Sequence, residues 1–138
     1  MEHAIASAHG GEHHWALQRM TAIGNLFLGS WFAVSLALMP DYKFTTMADW
    51  LAAPIPSLAM ALLLVSFFWH ARLGLQVLVE DYVHDAGNRF AAMALVNGAA
   101  IAGAAAGVFF ILRVVAYRVA GEMASGMFAQ AMAAAGGR

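Results

Sequence analysis

Between His70 and Asp85, ionisable side chains gather inside a run otherwise apolar enough to sit in a lipid bilayer, His70, Arg72, Asp81 and Asp85 among them. On an ideal helix, at about 100° per residue, His70, Gly74, Val77 and Asp81 share one stripe. One face therefore carries an imidazole, a patch of bare backbone and a carboxylate. An ionisable group deep in a membrane span costs a few kcal/mol, so it usually faces a partner, a cavity or a cofactor. Two readings fit the spacing. Either His70 bonds a neighbouring helix while Asp81 and Asp85 mark where the helix leaves the lipid, or the stripe is built for chemistry. Arg72 points away from His70, and its long stem suits either a polar or anionic neighbour or an inter-subunit ion pair.

Composition narrows the setting. The 138 residues are enough for one domain, and 62% apolar against 11% charged residues lies well outside the balance of soluble domains. The excess falls in runs too long for ordinary core helices, so the lipid bilayer is the expected partner. With no cysteine, the chain has no disulfide and cannot itself hold an iron–sulfur cluster. Its near-neutral net charge of −1 gives no footing for nucleic acid.

The elements that must position the stripe follow from the apolar runs. Residues 1–19 read as a polar arm outside the membrane, with His3, His9, His13 and His14 split by Gly10-Gly11. A flexible or docking tail is expected there rather than a metal site, which needs fixed geometry. No charged residue interrupts Met20 to Met39, long enough to cross the roughly 30 Å hydrocarbon layer. Pro40-Asp41 ends that first span, and a short polar, aromatic-flanked loop is expected before Pro54 and Pro56 open the second. The second span, 57–85, puts His70 near the bilayer midplane and Asp81 and Tyr82 at the opposite interface. Gly87-Asn88 offers left-handed residues for a helix end, after which Arg89 starts the third span, 90–118. There Ala99, Gly103 and Gly107 form a small-residue face suited to close helix packing. Residues 119–138 read as an interfacial helix or a frayed tail. The expected fold is all-α, a three-transmembrane-helix anchor over residues 20–118. The charge count does not orient it: Arg19 and Arg89 on one side face Lys43, Arg118 and Arg138 on the other, slightly against the orientation adopted below.

His14-Trp15, Gln18-Arg19-Met20-Thr21-Ala22-Ile23, His70-Ala71-Arg72-Leu73-Gly74 and Glu80-Asp81-Tyr82-Val83 together resemble the small hydrophobic (D-type) membrane-anchor subunit of succinate dehydrogenase, respiratory complex II. The likeness runs from about His13 to Leu112. It implies a b-type haem held between this chain and a second membrane-anchor cytochrome b subunit, with His70 as one axial ligand of the haem iron. It also implies a quinone site, with ubiquinone the expected substrate, formed beside an iron–sulfur subunit that a flavoprotein subunit feeds with electrons. Tyr82 would donate to a quinone carbonyl with Asp81 supporting it, and Arg19 would lie near the haem propionates or the quinone. The N-terminal arm and the Asp81–Asn88 loop would face the cytoplasm of a bacterium or the matrix of a mitochondrion. Independently of the likeness, Gly74 removes a side chain where a porphyrin would come close, and a neutral imidazole is a normal ligand of haem iron. The competing expectation is a small polytopic transporter or assembly subunit in which His70, Arg72 and Asp81 line a polar path.

Overall fold

A computed structural model describes the backbone of residues 2–136 and the side chains of residues 14–136. The side chains of His3, His9 and His13, and the whole of Arg138, lie outside the described residues. Four helices follow one another, α1 (Glu2–Ala37), α2 (Phe44–Ala52), α3 (Pro54–Tyr82) and α4 (Ala86–Gly136), and there is no strand among the described residues. Three of them are long and apolar enough to cross a membrane, over His14–Ala37, Pro54–Tyr82 and Ala86–Gly136.

α3 is the central helix. It packs on α1 on one side and on α4 on the other, while α1 and α4 do not pack on each other among the described residues. Pro54 and Pro56 sit in its first turn, where a missing N–H costs nothing. The contact with α4 is close because Gly103 and Gly107 present no side chain. A Cβ at Gly103 would run into the Phe68 ring, and one at Gly107 would come within 2.7 Å of Leu64. The small-residue face read from the sequence therefore packs against α3.

Two connections differ from expectation. The loop after the first span contains α2, a nine-residue amphipathic helix. Its Trp50 stacks on Trp31 at 5.7 Å between ring centroids, and Arg118 of α4 pairs with its Asp49 and donates to Thr45 O at 3.1 Å. Before it, the Lys43 ammonium, 2.8 Å from Asp41, holds that carboxyl below its ordinary pKa, aided by Thr46 and the Lys43 backbone N–H. The second difference lies between α3 and α4. Gly87 and Asn88 are not a left-handed helix end, since no described residue has positive φ. They form the first turn of α4, where Asp85 Oδ1 accepts a hydrogen bond from the Asn88 N–H at 2.8 Å. An aspartate accepting there caps a helix start, so the break falls at Val83–Asp85 instead.

The C-terminal stretch is not a separate element. α4 runs unbroken for 51 residues, about 76 Å, far more than the hydrocarbon layer takes up.

Candidate functional site

His70 lies two residues from the middle of α3, about 3 Å along its axis. Its ring is half-buried, turned toward α1, and Nδ1 is hydrogen-bonded to Thr21 Oγ1 at 3.0 Å. Nε2 has no hydrogen-bond partner among the described residues and is not enclosed. The helix crossing that produces this contact is narrow. One turn from His70, Ser66 Oγ donates to the backbone oxygen of Thr21 at 3.4 Å, and Gly24 faces that same hydroxyl. One turn in the other direction, a Cβ built on Gly74 would meet nothing within 4 Å. The imidazole thus has one nitrogen tied to its own chain and the other open, beside a stretch of helix without side-chain cover. Such a nitrogen can take a proton or a metal ion.

Thr21 is the residue that sequence reading passed over, and it belongs to a pattern. His14, Gln18, Thr21 and Asn25 recur at spacings of four, three and four, so one stripe of α1 is polar inside an apolar span. All four are half-buried, and His14 Nε2 and Asn25 Oδ1 are enclosed without a partner among the described residues. That periodicity was the available signal.

Because Thr21 is level with His70, Arg19 lies only about 3 Å along α1 from the level of His70. Its guanidinium sits over the Trp15 ring at 4.3 Å, one turn toward the interface, as a long cationic side chain does when it reaches for headgroups. Arg72 faces the other way. Its Nε donates to Asn97 Oδ1 of α4, and its guanidinium lies 5.0 Å from the Trp69 ring centroid. The neighbour of Arg72 is therefore a polar group of its own chain. A lone Asn in the third apolar run marked that partner.

Asp81 and Tyr82 end α3, about 18 Å along the axis from His70. Both are exposed, with Tyr82 at 78%. No hydrogen bond joins them among the described residues, so within this chain Asp81 does not hold the Tyr82 hydroxyl. A cleft of about 580 Å³ is at the other end of the bundle, between α2 and α4, and includes Phe44, Phe110, Arg113 and Tyr117. It is separate from the His70 and Tyr82 sites.

Comparison with known proteins bears on this arrangement. Curated succinate dehydrogenase hydrophobic membrane anchor subunits are similar to the chain: that of Rickettsia bellii is 37% identical over 78 residues, and that of Rickettsia conorii 32% over 78 residues. Each match covers 56% of this chain and 62% of the relative. The protein of Rickettsia felis is 32% identical over 80 residues, 57% of this chain and 66% of its own length. The chain thus spans somewhat under two thirds of these relatives. No solved structure matches it significantly. The family model described as succinate dehydrogenase/fumarate reductase transmembrane subunit matches residues 2–107, which take in α1 to α3 and the contact face of α4. With three helices able to cross a bilayer and a family match over most of its length, this integral, multi-pass membrane protein belongs to the succinate dehydrogenase/fumarate reductase transmembrane subunit family.

Proposed function

We propose that this chain is the hydrophobic membrane-anchor subunit of a succinate:quinone oxidoreductase in a bacterial inner membrane, with the α3–α4 junction toward the cytoplasm. It carries no succinate-oxidising site. Electrons arrive from a flavoprotein subunit through an iron–sulfur subunit and reduce ubiquinone to ubiquinol, a change of two electrons and two protons. His70 would hold the iron of a b-type haem, together with a ligand from a second membrane-anchor cytochrome b subunit. When bound, that haem provides a one-electron carrier inside the bilayer.

The observation that carries this reading is the His70 imidazole near the middle of the apolar helix α3, with Nδ1 held and Nε2 open. The donor set fits a haem. A neutral imidazole nitrogen is the usual ligand, and the uncovered Gly74 gives a flat macrocycle room against the helix. His14 and His84, the other described histidines, lie about 10 Å along α1 from Thr21 and in the turn after α3, so neither stands beside His70 to complete the iron's coordination from this chain. Arg19 offers a cation to a propionate or to the quinone. Tyr82 stands where water and an iron–sulfur partner can both approach. Its hydroxyl donates to a quinone carbonyl oxygen as negative charge develops there, and Asp81, beside it in sequence, sits at the water boundary from which protons are taken up.

The test is to isolate the tagged chain from native membranes in mild detergent. Co-purification of flavin, iron–sulfur clusters and a b-type haem with succinate:quinone activity is expected. A chain that purifies without pigment or partner, and moves protons or a solute across vesicles, would overturn the assignment in favour of a small transporter.

A further inference from the structure

We infer that Thr21 is a positioning residue that fixes the tautomer and the ring plane of His70, so that Nε2 presents its lone pair outward. This rests on the reading of His70 as a haem ligand and adds a role for a residue on a different helix.

The argument is one of counting hydrogens. A threonine hydroxyl has one hydrogen and two lone pairs. Thr21 Oγ1 lies 2.8 Å from Leu17 O and 3.1 Å from Gln18 O, two carbonyl oxygens that can only accept. The hydroxyl hydrogen is therefore directed back along α1, the usual habit of a threonine inside a helix. Were it turned toward His70 instead, two oxygen pairs would sit at these separations with no hydrogen between them. The third neighbour, His70 Nδ1 at 3.0 Å, must then be the donor. A neutral imidazole has a single N–H. With that hydrogen on Nδ1, Nε2 is left with the lone pair a metal requires, and it is the nitrogen that is open. The other tautomer would put a hydrogen on Nε2 and block ligation.

The device extends beyond one bond. Ser66 and Gly24 set the separation of α1 and α3 one turn away, so the oxygen that receives Nδ1–H is placed by helix packing. A hydrogen bond from the distal nitrogen of a ligating imidazole orients the ring and makes the other nitrogen a stronger donor. A stronger donor favours the ferric iron over the ferrous.

The test uses the purified complex carrying Thr21→Val, which keeps the shape of the side chain and removes the acceptor, beside Thr21→Ser, which retains it. In Thr21→Val the ferrous form should gain about tenfold relative to the ferric, raising the haem midpoint by ~59 mV. The low-spin EPR g-values, which follow the angle between the two axial imidazole planes, should shift with it. Thr21→Ser should restore both. If Thr21→Val disrupts assembly, Thr21→Ala offers the same comparison with less side chain. Unchanged midpoint and g-values in the haem-loaded valine and alanine variants would overturn the positioning role while leaving ligation by His70 intact. An unaltered haem spectrum in His70→Ala would instead remove the ligand reading on which it rests. A shift in Thr21→Ser as large as in Thr21→Val would also count against it, because a packing defect would then be the cause.

Discussion

At the scale of single residues, the groups that stood out in the sequence did so because a polar side chain in an apolar run must be accounted for. His70 stood out in this way, and it lies near the middle of α3 as its distance along the run required. Thr21 was not, because its partner is 49 positions away and a threonine in a helix usually bonds its own backbone. That Arg19 lies close to the level of His70 was not legible for a related reason: it depends on which residue of the next helix lies alongside, which a single run does not disclose. Tyr82 tests the chemistry at the other end of α3. An interfacial anchor keeps its ring in Tyr82→Phe and loses little, whereas a donor to the reducing quinone should lose about tenfold or more in quinone reduction, the effect of ~1.5 kcal/mol missing from the transition state. Succinate oxidation with an artificial acceptor that takes electrons upstream should stay near normal. Quinone reduction at the wild-type rate in Tyr82→Phe would show the hydroxyl to be dispensable.

At the scale of elements, the spans were readable from length and apolarity, but their ends were not. The Asp85 cap prevailed over the Gly87-Asn88 signal because a side-chain acceptor at a helix start satisfies an otherwise unpaired N–H, while glycine and asparagine are also tolerated in a first turn. Likewise Phe44–Ala52 forms a helix because Trp50 and Asp49 have tertiary partners, Trp31 and Arg118, that local sequence does not reveal. The small-residue face of α4 gives an element-level prediction. Gly103→Ala puts a methyl against the Phe68 ring and should lower the stability of the assembled protein by about 1–3 kcal/mol, whereas Gly121→Ala, on the same helix with nothing within 4 Å, should be neutral or slightly stabilising. Thermal melting of the purified complex distinguishes them. Equal melting temperatures for the two variants would mean that the α3–α4 contact is looser than this packing requires.

At the scale of the whole molecule, the chain is built to be covered. It exposes 10197 Å², against about 6,900 Å² expected of a compact soluble protein of 14.7 kDa. Only Leu73, Ala100 and Ile111 are buried among the described residues, while aromatic and aliphatic side chains stand exposed along every span. Lipid accounts for much of that surface. The half-built environment of His70, with one nitrogen bound within the chain and one open, calls for a partner there. The composition made the membrane setting legible, whereas the absence of α1–α4 packing among the described residues, which makes α3 the central helix, depended on the three-dimensional arrangement. The central claim is that His70 binds haem iron at the junction with a second subunit. Its most direct test is the optical spectrum and redox titration of the purified complex carrying His70→Ala. Loss of the b-type haem, or replacement of its low-spin spectrum and midpoint by those of an altered ligand set, is the predicted result; a wild-type spectrum with an unchanged midpoint would contradict it.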